Sequence, residues 1–275
     1  MRRSVRSAVL AFVVAGLLPA GDFYVLDNCA GRGRLATAEQ AALLKKVGVQ
    51  GIGSTRPATV AAALEAFDAN GVAVRALYTV ADISAEGVRI DPEVAPAIQA
   101  LKGRPTIVLL GINGKAPEGD KLALDVIGRV HRMAAASGLK VALYPHYGFH
   151  IASIDDALRL ADKYNSPDVG ISFNLCHWLR ESGGKEPVEN VVRRLRRLQT
   201  VVINGADYEG GWDRLIQTLD RGQFDIYRLL HLLKARGLDV PVGLQCYNVP
   251  GEPEENLTRS CAAWRAFSER LAAEK

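Results

Sequence analysis

His146 and His177 are the residues of this 275-residue chain best suited to moving a proton. Imidazole titrates near neutral pH, where acid–base catalysis operates. His146 stands two residues after Tyr144 in Leu143-Tyr144-Pro145-His146, and His177 three after Asn174 in Phe173-Asn174-Leu175-Cys176-His177-Trp178. Two further segments, Val202-Ile203-Asn204-Gly205-Ala206-Asp207 and Gly243-Leu244-Gln245-Cys246-Tyr247, add amides, a carboxylate and a ring. Such groups suit a polyol: amides donate and accept hydrogen bonds in pairs, and rings stack on sugar faces. Tyr144, Asn174, Trp178, Asn204, Asp207, Gln245 and Tyr247 are therefore the candidate substrate-binding residues. His146 and His177 are the candidate catalytic pair, or, in a blander reading, two more hydroxyl binders. His131 and His231 fall inside helical patterns as surface or packing residues, and His150 is undecided.

The elements that must position these groups follow from periodicity. Short apolar runs alternate with longer amphipathic ones, which implies parallel strands joined by crossover helices. Strands are expected at 23–27, 51–54, 73–78, 106–111, 140–144, 169–174, 200–204 and 242–245, and helices at 38–47, 58–69, 92–101, 120–136, 154–164, 188–198, 224–235 and 254–271. Gly48, Gly71, Gly103, Gly138 and Gly237 follow five of these helices, where a left-handed residue commonly ends one. Eight strand–helix pairs over about 250 residues match a single (β/α)8 barrel, α/β in class, whose site lies at the C-terminal strand ends. An open doubly wound sheet is the alternative, but no G-x-G-x-x-G follows the first strand. Strand alternation puts Val169, Ile171 and Phe173 toward the helices and Gly170, Ser172 and Asn174 toward the barrel axis. The same parity turns Tyr144, His146, Asn204, Gln245 and Tyr247 inward.

Composition excludes several functions. Hydrophobic residues make up 48% and charged residues 23%, an ordinary globular balance. Without Arg2, Arg3 and Arg6, 31 basic residues face 30 acidic ones, so nothing is built to neutralise a phosphate backbone and no nucleic-acid partner is expected. Arg193, Arg194, Arg196 and Arg197 read as a solvated helix face. Cys29, Cys176, Cys246 and Cys261 show no C-x-x-C spacing, though barrel closure would bring Cys29 near Cys246, where geometry decides whether they pair. Asp27, ending the first strand, is either a further base or a turn residue.

The four segments Leu143–His146, Phe173–Trp178, Val202–Asp207 and Gly243–Tyr247, in that order, resemble the xylose isomerase-like barrels of the sugar phosphate isomerase/epimerase superfamily. The resemblance covers nearly all of the chain after its first twenty residues. It implies a divalent cation held by a Glu, an Asp, a His and a second Glu after the fifth to eighth strands, the two Glu also shuttling a proton between sugar carbons. Those positions fall here on Tyr144, Asn174, Asn204 and Gln245, while His177 and Asp207 survive as the trailing members of two motifs. Amides offer carbonyl oxygens but neither charge nor basicity, so Mg²⁺ or Mn²⁺ is not expected in the family's position. A two-histidine, one-carboxylate set of His146, His177 and Asp207 is a conceivable transition-metal site, but no spacing argument places the three within reach. No cofactor is therefore expected.

Met1–Gly21 reads as a basic start, an apolar run from Ala8 to Leu18 and the break Pro19-Ala20-Gly21. A run of about eleven apolar residues is too short for a mature span and matches a secretory signal peptide, residues 1–20, ahead of a barrel over 21–275. The sequence thus leads to an exported barrel acting on a small carbohydrate or polyol, preferably unphosphorylated, as an isomerase, epimerase or lyase without the family's metal chemistry. The competing class is a catalytically inert sugar-binding barrel. Oligomeric state is not encoded in any recognisable pattern.

Overall fold

The computed structural model describes residues 23–274, so the segment read as a signal peptide lies outside the described residues. Nine strands form among the described residues: β1 (Phe23–Leu26), β2 (Gly51–Ser54), β3 (Ala73–Ser84), β4 (Gly87–Ile90), β5 (Ile107–Gly114), β6 (Lys140–Leu143), β7 (Val169–Asn174), β8 (Leu198–Ile203) and β9 (Val242–Leu244). All but β4 pair in parallel, in the order β2-β1-β9-β8-β7-β6-β5-β3, and β2 pairs with β3 to close the ring. This is a single (β/α)8 barrel. Ten α-helices of the described residues, α1 (Thr37–Val47), α2 (Val60–Ala69), α3 (Val94–Ala100), α4 (Gly119–Ala136), α5 (Ile154–Tyr164), α6 (Leu175–Ser182), α7 (Val188–Arg194), α8 (Trp212–Leu215), α9 (Ile226–Ala235) and α10 (Pro253–Ala273), supply the outer layer and part of the mouth. None of the described helices is long and apolar enough to cross a membrane.

Alternation along the strands divides the apolar residues into two clusters. Val169, Ile171 and Phe173 of β7 belong to the large cluster between sheet and helices, whereas Tyr24, Leu26, Ala76, Leu109, Ala142, Tyr144 and Val202 fill the barrel interior. Tyr24 occupies the axis, 1% exposed, with its hydroxyl 3.0 Å from Thr200 Oγ1. Its ring fits because neighbouring strands carry glycine: a Cβ on Gly243 would stand 2.6 Å from the ring, and one on Gly51 2.7 Å from the Tyr24 Cβ. The lower barrel is therefore packed solid and the open space lies above it.

Three elements depart from expectation. β3 continues past Tyr78 to Ser84 and turns through Gly87, at φ 119°, into β4, because Val80–Ser84 keeps the two-residue alternation and Asp82 finds Arg89 across the hairpin. α7 stops at Arg194, since Arg197 takes a positive φ of 53° to feed β8. Most important for the site, a helix starts directly at the end of β7. Asn174 is its N-cap, its side chain accepting the His177 backbone N–H at 3.4 Å, which fixes His177 in the first turn of α6.

Candidate active site at the barrel mouth

A cavity of about 420 Å³ opens at the C-terminal ends of the strands. Tyr144, His146, His177, Gln245 and Tyr247 line it, together with Tyr78, Asn28, Arg32 and Trp212. His146 and His177 come from different loops, β6–α5 and the first turn of α6, yet their ring centroids are 3.9 Å apart. Phe149 stacks on the other side of His146, also at 3.9 Å, and the Trp212 ring meets His177 edge-on at 5.5 Å.

One residue's backbone fixes the proton on both imidazoles. His146 Nδ1 lies 3.0 Å from the Tyr147 carbonyl oxygen, so it must carry hydrogen and donate, which leaves the Nε2 lone pair free. His177 Nδ1 accepts the Tyr147 backbone N–H at 3.4 Å, so the neutral ring holds its hydrogen on Nε2. Burial, and then the neighbouring His146, hold the His177 pKa down to about 3. Burial likewise lowers that of His146, against the opposing carbonyl of Tyr147. Two neutral imidazoles thus face one cavity in opposite tautomers, one a base and the other a donor.

Below the pair runs a neutral chain of hydrogen bonds. Asn28 Nδ2 donates to Gln245 Oε1 at 3.3 Å, Gln245 Nε2 to Cys176 Sγ at 3.4 Å, and Cys176 Sγ to Asn174 Oδ1 at 3.1 Å. Asn174 Nδ2 closes the chain on the Tyr144 hydroxyl. Burial drives the Tyr144 phenol well above its ordinary pKa, so it stays protonated, and Tyr78 packs edge-on against it at 5.0 Å. Asn204 stands apart: its Nδ2 donates to the carbonyls of Gly205 and Leu215 at 2.8 and 2.7 Å, while its buried Oδ1 has no protein partner.

Four candidate binding residues do not line this cavity: Asn174 and Asn204, held beneath it by the bonds just described, and Trp178 and Asp207. Trp178 packs between Phe173 and Phe224, its indole N–H donating to Glu186 at 3.0 Å. Asp207 pairs with Arg214 at 2.5 Å and accepts the Gln223 backbone N–H at 3.0 Å, organising the loop after β8. It is therefore not joined to the histidines, and among the described residues no group of three or more His, Cys, Asp or Glu side chains could hold a metal ion. Asp27 is buried beneath the rim, accepting from Thr55 N–H at 2.8 Å and pairing with Arg32 at 3.1 Å. All four cysteines are free and buried. The arginine run is neutralised locally: Arg194 pairs with Asp155 and Glu186, and Arg196 and Arg197 with Asp162.

Sequence reasoning missed Arg32 and Trp212. Arg32 was findable by asking which cation compensates Asp27, five residues earlier. Trp212 carried no such signal, because α8 is one turn inside a long loop.

Comparison with known proteins gives the fold a lineage. Residues 41–267 match the model of the xylose isomerase-like TIM barrel family. No curated protein sequence matches the chain significantly. Among solved structures it resembles the apo form of 3-keto-D-glucoside 4-epimerase from E. coli, with a TM-score of 0.68 at 16% identity over 89% of this chain and 99% of that one. An L-ribulose 3-epimerase aligns with a TM-score of 0.68 at 14% identity, covering 91% of this chain and 95% of that one. A fusion of a xylose isomerase-like TIM barrel with 4-hydroxyphenylpyruvate dioxygenase aligns at 0.67 and 15% identity; 91% of this chain spans only 43% of that longer protein. At these identities the likeness is one of fold, and the family match over most of the sequence carries the assignment. The chain belongs to the xylose isomerase-like TIM barrel family.

Proposed function

We propose that this barrel is an isomerase, epimerase or lyase of carbohydrates or polyols that works by proton transfer between imidazoles and a carbon beside a carbonyl, without a divalent cation. The family match and the sugar epimerases among its structural neighbours support the substrate class. The observation that carries the mechanism is the opposed tautomers of His146 and His177 on one cavity wall.

In this scheme His146 Nε2 takes the proton from the substrate C–H. The released pair becomes the enediolate C=C, and the carbonyl π pair moves onto oxygen, where the His177 Nε2–H donates to it. Return of the proton from His146 to the adjacent carbon gives an isomer, as the hydroxyl on the first carbon becomes the new carbonyl and its proton passes to the former carbonyl oxygen. Protonation of the first carbon on its opposite face by a water molecule, His146 then releasing its own proton to solvent, gives an epimer. Loss of a β-hydroxyl as water gives the lyase outcome. Tyr144 and Gln245 orient hydroxyls, while Trp212 and Tyr247 supply ring faces.

The family's cation does not fit these residues. Tyr144, Asn174 and Gln245 bring no charge and hold one another through Cys176, and Asn204, its Nδ2 spent on its own loop, offers only one neutral Oδ1. A divalent ion would have to break that chain and still lack a carboxylate to offset its charge. No step is therefore routed through a metal.

The test is hydrogen exchange: in D₂O, a panel of aldoses, ketoses and 3-keto sugars is followed by proton NMR. Wild-type protein should wash deuterium into one carbon-bound position, and His146→Ala should not. Sugar binding with no exchange anywhere in the panel would establish the inert barrel instead. We also place the activity outside the cytoplasm, on the strength of the basic and apolar pattern of residues 1–20. Recovery of the full-length product uncleaved in the cytosolic fraction would refute that placement.

A further inference from the structure

The charge around the cavity is one-sided. With both histidines neutral and the Tyr144 phenol protonated, Arg32 brings the only formal charge among the residues that line it, and no carboxylate does. A second cavity of about 410 Å³ adjoins the first and shares Asn28, Arg32 and Tyr247 with it. It adds Arg34, whose guanidinium is already spent on the Glu252 carboxylate at 2.8 Å and the Gly251 carbonyl at 2.8 Å. Arg32 is therefore the cation that both spaces share, among neutral polar atoms.

Arg32 is more than the counterion of Asp27. Only its Nη1 is engaged, by Asp27 Oδ1 at 3.1 Å and by Thr55 Oγ1. Among the described residues, Nη2 and Nε make no hydrogen bond, and the side chain is 25% exposed while that of Asp27 is 9% exposed. Asp27 is separately satisfied by the Thr55 N–H and hydroxyl, both at 2.8 Å. The buried carboxylate thus anchors one arm of a planar fork and leaves its other edge available, the arrangement that takes a carboxylate or phosphate bidentately. Pinning by Asp27 also removes much of the rotamer freedom that an arginine otherwise loses on binding.

We propose that the sugar this barrel acts on carries an oxyanion, a carboxylate or a phosphate, gripped by the free edge of Arg32 while the carbonyl-bearing carbons lie against His146 and His177. The inference rests on the reading of the histidine cavity as a carbohydrate site and narrows its substrate to acidic sugars. The second cavity, reached past the same Arg32, gives room for the charged end.

Paired ligands test it by titration calorimetry on the full chain: each of several aldoses and ketoses against its own uronate or aldonate and its own 6-phosphate. In at least one pair the charged member should bind about tenfold or more tightly, as a charge-assisted bidentate contact requires. The arm that shows the gain, carboxylate or phosphate, names the oxyanion. The advantage should shrink in Arg32→Lys, which keeps the charge and the Asp27 partner but loses the fork. It should vanish in the double variant Asp27→Asn, Arg32→Gln, which leaves no buried charge unpaired, while the neutral member's affinity stays within about threefold. Thermal melting checks that both variants remain folded. Equal binding of neutral and charged members by the wild type overturns the oxyanion proposal alone, and so does an advantage that survives the double variant. Failure of every sugar to bind overturns it together with the carbohydrate reading.

Discussion

The floor of the mouth and its wall are built from similar residues and do opposite things. On the floor, Asn28, Gln245, Cys176, Asn174 and Tyr144 hold one another in a neutral chain, and Gln245 and Tyr144 turn only their remaining N–H and O–H to the cavity. On the wall, His146 and His177 each spend a single nitrogen on the Tyr147 backbone and keep the other. A group whose bonds are closed holds shape, and one with a lone pair or hydrogen in reserve does chemistry. In the proposed scheme the floor is structure and the reactive capacity sits on the imidazoles beside it.

Removing either imidazole should produce the largest effect. His146→Ala is expected to lower kcat about a hundredfold or more, the usual worth of a general base, while sugar affinity changes little. Parallel loss of affinity and rate would make the histidines binders and erase the contrast with the floor. The floor should respond in stability instead. Asn174→Ala deletes the α6 cap and leaves Tyr144 and Cys176 short of partners, so urea unfolding should register a loss on the order of 2 to 4 kcal/mol, combining a cap with an unsatisfied buried group. A melt unchanged by that substitution would show the chain of bonds to be incidental.

Acid should expose the wall next. His177 is neutral in the folded protein, its pKa held at about 3, but takes a proton at its ordinary value of 6.5 once unfolded. Between those values the unfolded state binds more protons, so stability falls as pH is lowered through that window, and His177→Gln should flatten the slope. Activity should have an acid limb lying below the ordinary histidine range, because His146 must be unprotonated and burial lowers its pKa. The smallest effect is expected from chelation: EDTA dialysis should leave turnover unchanged. Loss of turnover that Mn²⁺ restores would return the floor positions to a catalytic role.

Much of this architecture was legible in the sequence because barrels are written in apolar periodicity. β2, β7 and α5 fall on the bounds expected from alternation, and Gly48 and Gly237 hold the positive φ expected after helices. The β4 hairpin was missed because a strand outside the ring obeys the same alternation as the one it extends. At the site, parity brought Tyr144, His146 and Gln245 to one mouth, and the spacing of Asn174 and His177 carried a helix cap that went unread as such. Trp178 and Asp207 lie one residue or one loop away from parity's reach, where helix rotation and an ion pair decide direction. Arg32 escaped because a loop cation is placed by its buried partner, which no local pattern reports.

The most direct test of the central claim is long-range ¹H–¹⁵N NMR of the two imidazole rings in the full-length protein, recorded across a pH series. The account requires His146 as the Nδ1–H tautomer and His177 as the Nε2–H tautomer, both neutral at neutral pH, with His177 remaining so far into the acid range. Two rings in the same tautomer, or a His177 that titrates at the ordinary histidine value, would contradict it.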